Sequence, residues 1–358
     1  MASKNIIICF DGTCNHPSDA KQEKEWFGND VVDNGITNVL KLHVLMGGTL
    51  KNDLKPEQYN FYYSGVGTYG NKIQKIFNTA FSPNNLDVGR IIKDAGKDLL
   101  CNYESNDKVI LFGFSRGAAI ARRFASVIAD YLPEGTDTTN IVHFMGLFDT
   151  VASIGVPNLG SNDKPVSDVV FEDGIVSKNV KEAIHCLAID ENRVAFQPTL
   201  MSRDHRITET WFSGAHADVG GGFWYDGLSD ISLSYMIEEI RRRNIDIELL
   251  EATDVDYSIL TAPDGSYSIE LEDVHIKPNH RGLAHPKDRW APFAWASLGD
   301  RKLRVVEDDE EIVGEPIHVH DSVKSRITEV TGYRPKALKG IPHEIANTLY
   351  RGIVEHIT

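Results

Sequence analysis

Two kinds of apolar pattern alternate along this chain. Residues 6–10 and 141–148 are short runs without a polar face, as expected of strands buried on both sides. Residues 59–64 are aromatic and β-like, and 208–213 read as a further strand. Against these stand stretches with helical spacing. Residues 38–46 predict a short helix. Residues 85–103 predict a longer one, with Val88, Ile91, Ile92, Ala95 and Leu99 on one face. Residues 180–189 also read as helical. Ser229 precedes a helix carrying Leu233, Met236, Ile237 and Ile240, which Arg241-Arg242-Arg243 and Asn244 close. A last helix begins at Asp321 and stops by Tyr333-Arg334-Pro335. Strand and helix in this alternation predict an α/β fold with a mostly parallel, doubly wound sheet and helices on both faces. The expected organisation is one domain over 1–358, with its core at about 5–335. Residues at about 250–310 are less regular, with a turn at Asp264-Gly265, and read as an insertion or lid.

The most informative stretch is 109–124. The apolar run Val109-Ile110-Leu111-Phe112 enters Gly113-Phe114-Ser115-Arg116-Gly117, and Ala121, Phe124, Ala125 and Ile128 leave it at helical spacing. A strand, a tight Gly-x-Ser-x-Gly turn and a helix are the context of a nucleophile elbow. Gly113 and Gly117 remove side chains where strand and helix approach each other. The helix start offers N–H groups and a positive dipole end to a developing oxyanion. Ser115 is the candidate nucleophile, and the N–H of Arg116 a candidate oxyanion donor. A second donor is expected from the loop after the first strand, at Gly12 or Thr13, and Asp11 in the same turn is a candidate substrate contact.

A serine nucleophile needs a histidine base and a carboxylate to orient it. In α/β hydrolases they follow in the order serine, acid, histidine. Asp218 ranks first as the acid, because its strand is counted as the second after the elbow and its loop, 214–222, is glycine-rich. His320 ranks first as the base, because a polar turn follows it. Asp149, at the end of the strand 141–148, and His216 are the reserve pair. The same residues allow another class of chemistry, in which Asp11, Asp149, His216 and Asp218 form an oxygen-rich site for a hard cation in a phosphohydrolase. A third reading is an inactive hydrolase fold kept for binding.

Charge narrows the partners. Over 358 residues the formal charge is −15, with 25% charged and 41% hydrophobic residues. Phosphate neutralisation needs clustered Lys and Arg, so nucleic acid is not expected as a partner, and anionic membranes gain no electrostatic attraction. Contact with a lipid surface would have to be apolar, with Trp290 and Trp295 of the segment 290–295 as its candidates. The apolar run at 6–10 is too short for a signal peptide or a span, which predicts a cytoplasmic protein. Four cysteines without zinc-ligand spacing predict reduced, inert thiols. The serine mechanism calls for neither a metal nor an organic cofactor.

Several motifs in register carry a family resemblance. They are Phe10-Asp11-Gly12-Thr13-x-Asn15, Gly113-Phe114-Ser115-Arg116-Gly117-Ala118, Phe148-Asp149-Thr150-Val151, and Trp211-Phe212-x-Gly214-x-His216-x-Asp218-Val219-Gly220-Gly221-Gly222. Ala188-x-Asp190-Glu191-x-Arg193-x-x-Phe196 and His320-x-Ser322-Val323 extend them. Together they resemble the α/β-hydrolase family that includes the catalytic domains of Tle1-like type VI secretion phospholipase effectors. The resemblance implies an α/β-hydrolase fold, a serine nucleophile and ester hydrolysis. For the effector branch it also implies phospholipase A activity and export by a specialised secretion system. The membrane-anchoring region of the effectors has no evident counterpart in these residues. The expectation is therefore a serine esterase or lipase acting on small-molecule or lipid esters through Ser115, His320 and Asp218.

Overall fold

The computed structural model describes residues 3–12, 35–52, 57–65, 85–152, 174–261, 267–285, 298–308 and 310–346. Eight strands form one sheet, in the order β10-β9-β6-β5-β4-β3-β1-β2. They are β1 (Asn5–Phe10), β2 (Gln58–Tyr63), β3 (Lys108–Phe114), β4 (Val142–Phe148), β5 (Ala183–Ala188), β6 (Ile207–Phe212), β9 (Ile317–His320) and β10 (His343–Ala346). Every pairing in this sheet is parallel. A two-residue hairpin, β7 (Val306–Glu307) with β8 (Glu310–Glu311), stands apart from it.

The apolar runs are continuous because both faces of the sheet are covered. Along β1, Ile6, Ile8 and Phe10 pack on one side with the helices α2 (Asn85–Asn102) and α3 (Arg116–Val127). Ile7 and Cys9 face the other side, with α1 (Asn38–Leu45) and α5 (Ser229–Arg242). A third apolar cluster gathers at the β9 edge, around Leu187, Trp211, Leu303, Val319 and Val323. The α/β-hydrolase-like architecture expected from the sequence is therefore present.

Two elements differ from expectation. Residues 180–189 hold a strand, β5, rather than a helix. All six of its residues are buried between β4 and β6, and a short run without a polar face cannot be assigned by periodicity alone. The glycine-rich stretch 214–222 contains a short helix, α4 (His216–Gly220), capped by Asp218, whose carboxylate accepts the Ala215 N–H at 2.8 Å. A four-residue helix, α6 (Leu271–Val274), and α7 (Asp321–Glu329) complete the helices that bear on the site. The Asp264-Gly265 turn and residues 286–297 of the expected lid lie outside the described residues.

Candidate active site

The carboxyl ends of β3, β4, β5 and β6 converge on one place, where ligands bind in open parallel sheets. Ser115 follows β3 at φ 57°, ψ −123°, a backbone region that non-glycine residues rarely adopt. Its N–H donates to Phe148 O at 3.0 Å, and its carbonyl accepts from the Val151 N–H at 3.3 Å, which ties the turn to the end of β4. Its side chain makes no cap to α3, so capping is not what holds a serine here. Gly117 is required by close approach. A Cβ there would lie 2.2 Å from Phe10 O and 2.4 Å from Asp11 O, so the elbow helix rests directly on the end of β1.

Asp149 follows β4, also at positive φ (39°), and is fully buried. Its Oδ2 accepts from His216 Nδ1 at 2.6 Å, and its Oδ1 accepts from the Ala188 N–H at 2.9 Å. Arg301 Nη2 lies 2.9 Å from Oδ1 and 3.0 Å from Oδ2. Burial opposes ionisation of this carboxyl. The Arg301 guanidinium, His216 and the Ala188 N–H outweigh it and hold Asp149 below the usual carboxylate range.

His216 opens α4, which leaves β6 through Gly214. Gly214 stands at φ 108°, and a Cβ there would lie 2.4 Å from the Asp218 Cβ. The imidazole sits against Phe114, the residue before Ser115, with ring centroids 4.7 Å apart, and meets Phe196 edge-on at 5.0 Å. Its backbone N–H donates to Glu191 Oε2 at 3.2 Å. Glu191 is itself held by a fork of two 2.7 Å bonds from Arg193, whose guanidinium carbon lies 3.5 Å from the Phe196 ring centroid. Burial resists charge on Glu191, and Arg193 overcomes it, lowering its pKa. The segment Ala188-x-Asp190-Glu191-x-Arg193-x-x-Phe196 is thus the cradle of His216.

Asp218 and His320 do not come together. Asp218 Oδ1 accepts from His285 Nδ1 at 2.6 Å, and its Oδ2 takes the N–H groups of Ala215 and His285. The ranking of Asp218 over Asp149 rested on its glycine-rich loop and on a strand count that read β5 as a helix. With β5 in the sheet, β6 is the third strand after the elbow strand in the chain, and Asp149 ends the first. His320 caps α7 by accepting from Ser322 N, and it stacks on Phe212 at 4.8 Å with Tyr235 edge-on. Burial lowers its pKa to about 4, against a smaller opposing pull from Asp321. Its ring is buried between Phe212 and Tyr235. The reserve residues Asp149 and His216 are the ones brought together, Asp149 at the end of the strand next to that of Ser115 and the His216 ring against Phe114.

The other expectations divide. Asp11 is buried, and its carboxylate accepts the Gly12 N–H, the Thr37 hydroxyl and the Tyr62 hydroxyl, each at 2.6 Å. It ties the loop after β1 to Thr37 and Tyr62 and engages the Gly12 N–H. Thr13, Trp290 and Trp295 lie outside the described residues. Of the four residues of the phosphohydrolase reading, Asp149 and His216 bond each other, while Asp11 turns to Thr37 and Tyr62 and Asp218 to His285. Among the described residues no cluster of His, Cys, Asp or Glu is arranged to hold a metal. Cys9 and Cys186 are buried and Cys101 is exposed, all as free thiols. Among the described residues no helix is long and apolar enough to cross a membrane. Arg301 and His285 had no signal in the sequence. Arg301 stands 152 positions from its carboxylate and belongs to no motif.

Comparison with known proteins agrees with the motifs. A family model described as "T6SS, Phospholipase effector Tle1-like, catalytic domain" matches residues 4–132 and 133–239, well over half of the chain. An uncharacterized protein of Saccharomyces cerevisiae is 27% identical over 250 residues, covering 55% of this chain and 32% of that protein. A crystal structure of an uncharacterized protein from Pseudomonas aeruginosa matches with a TM-score of 0.47 at 17% identity, over 78% of this chain and 49% of that one. The Tle1 effector bound to the VgrG spike of the type 6 secretion system matches with a TM-score of 0.36 at 25% identity, over 62% of this chain and 51% of that one. The chain thus spans about a third of the yeast relative and about half of each solved chain.

Proposed function

Because the chain belongs to the catalytic-domain family of Tle1-like type VI secretion phospholipase effectors, we propose that it is a serine hydrolase of lipid acyl esters, with Ser115 as nucleophile, His216 as base and Asp149 as the orienting acid. The observation that carries this reading is the 2.6 Å bond between Asp149 and His216 at the strand ends beside a strained Ser115. With Nδ1–H donated to Asp149, the neutral imidazole keeps Nε2 as its proton acceptor. In the first step Ser115 Oγ attacks the ester carbonyl carbon while Nε2 takes the hydroxyl proton. Collapse of the tetrahedral intermediate breaks the bond to the alcohol oxygen, which receives that proton and leaves. Water then attacks the acyl-enzyme by the same route, with Nε2 again taking and returning a proton, and frees the fatty acid.

The negative oxygen of each intermediate is assigned to the Arg116 N–H at the head of α3. The Gly12 N–H is already donated to Asp11, so Thr13 is the proposed second donor of that loop. The substrate class, a phospholipid acyl ester, and export by a secretion apparatus both follow from the family and belong to the same proposal.

The test is twofold. The purified chain is treated with a fluorophosphonate and the labelled residue is identified by mass spectrometry. It is also assayed on phospholipid vesicles and short-chain esters. Labelling at Ser115, with fatty acid release that Ser115→Ala abolishes, is the expected result. A chain that is folded but neither labels nor releases fatty acid would instead be an inactive hydrolase fold, and the proposal would fall.

A further inference from the structure

Arg301 is the one cation that touches the carboxylate of the proposed Asp149–His216 pair among the described contacts. Its side chain is fully buried, so it has no access to a substrate. It is carefully placed nonetheless. The backbone before it is docked by the Gly299 N–H to Asn192 O bond at 2.9 Å and by an antiparallel bridge of Leu298 with Arg193. After it, the Lys302 N–H donates to Gln197 Oε1 at 3.2 Å, and Leu303 enters the core beside Leu187 and Trp211. The residues that hold Arg301 therefore belong to the 191–197 segment that also cradles His216.

The bonding around Asp149 is balanced. Each carboxylate oxygen accepts twice, Oδ1 from Arg301 and Ala188, Oδ2 from Arg301 and His216. An acid with only its histidine and one N–H as partners could rotate about χ2 and lose the alignment of Nδ1. A guanidinium nitrogen reaching both oxygens removes that freedom. A buried carboxylate shared between two cations also binds a proton on its histidine less strongly than one carboxylate reserved for that histidine.

We propose that Arg301 is a positioning residue of this site: it fixes the carboxylate plane of Asp149 and limits how firmly the Asp149–His216 pair holds a proton. The inference rests on the assignment of Asp149 and His216 as acid and base. The charged and titratable groups around the pair are Arg301 from the 298–303 segment, Cys186 from β5, Glu191 and Arg193 from the loop after β5, and His216 itself on α4. Of these, Arg301 is the cation in direct contact with the carboxylate.

The experiment follows the rate of fluorophosphonate labelling of Ser115 against pH in the wild-type chain, in Arg301→Gln and in Arg301→Lys, with the folded fraction measured by circular dichroism at each pH. Removing the charge in Arg301→Gln makes the pair easier to protonate. Its acid limb is expected to move to higher pH by roughly one unit, with a plateau at least about tenfold lower. Arg301→Lys keeps the charge but reaches one oxygen. Its limb is expected to stay in place while its plateau falls.

A structural counter-ion alone would lower stability in both variants and leave the limb of the folded fraction where it was; that result overturns the proposal. If Arg301→Gln does not fold, Arg301→Lys decides, because a wild-type plateau in that variant removes the positioning role. A folded wild-type chain that does not label at Ser115 would overturn the underlying assignment, and this inference with it. Labelling with a flat response to Arg301→Gln would overturn only the inference.

Discussion

Asp149→Asn isolates the assignment of the acid. Asparagine preserves the size of the side chain and one acceptor oxygen, but removes the charge that Arg301 and His216 share. Two losses follow. Arg301 Nε and Nη1 already lack acceptors among the described residues, so without the Asp149 carboxylate the buried guanidinium loses the counter-ion it touches. Breaking a buried pair in this way costs about 3–5 kcal/mol. The amide also presents an N–H₂ group that stabilises the wrong imidazole tautomer, a defect of about 10⁴-fold in serine hydrolases, or roughly 5.5 kcal/mol of transition-state stabilisation.

The two losses can be separated. Asp149→Asn combined with Arg301→Met should recover stability, because the unpaired charge is gone, and should recover none of the rate. Asp218→Asn is the control. Asp218 bonds to His285 and to the Ala215 N–H, so its loss should destabilise α4 and slow labelling by less than about tenfold. The assay is the fluorophosphonate labelling rate at Ser115, normalised to the folded fraction, with chemical denaturation for stability. A folded Asp149→Asn chain that labels within about tenfold of wild type, or an Asp218→Asn chain that loses as much as Asp149→Asn was expected to lose, would falsify the assignment.

The other expectations concern particular side chains. Gly117→Ala places a Cβ against the Phe10 and Asp11 carbonyls, so it should lower the melting temperature and suppress labelling together; an unchanged melting curve would show that the elbow can shift at no cost. Cys9 and Cys186 are buried, and burial raises both thiols above their ordinary values, so native-state alkylation read by mass spectrometry should modify Cys101 well before either of them. His43 and His320 are each lowered by burial from 6.5 to about 4. Between those values the unfolded chain binds protons that the folded chain does not, so their share of stability is complete above about pH 6.5 and is lost as pH falls toward 4, by up to about 3 kcal/mol for each. His320→Asn, which keeps a capping side chain, should flatten that acid sensitivity in part and leave Ser115 labelling within about twofold at pH 7; a large loss of labelling would return His320 to the mechanism.

What could be read from the sequence was whatever repeats a local rule. The Gly-x-Ser-x-Gly turn was legible because strand, turn and helix are contiguous, although the close approach at Gly117 comes from the distant end of β1. The buried strands β1, β3 and β4 were legible because burial on both faces writes an unbroken apolar run. The same property hid β5, since a buried run of six residues has no periodicity to separate strand from helix. That single omission shifted the strand count and moved the ranking from Asp149 to Asp218.

The pairing of Asp149 with His216 illustrates a deeper limit. His216 and Asp218 lie two positions apart on one short helix, and each holds a partner of opposite kind, Asp149 for one and His285 for the other. The motif places both residues at the end of β6 but does not say which of them faces the serine. The sheet decides it. Parallel neighbours β3 and β4 bring Ser115 and Asp149 out side by side, and α4 lies against Phe114 at that edge, with His216 on the ring and Gly220 close to it. Asp218, one helical step on, turns toward the segment that carries His285. The choice between two adjacent triad candidates is thus made by strand order and by the direction in which a five-residue helix leaves its strand, both of which depend on residues far away in the chain.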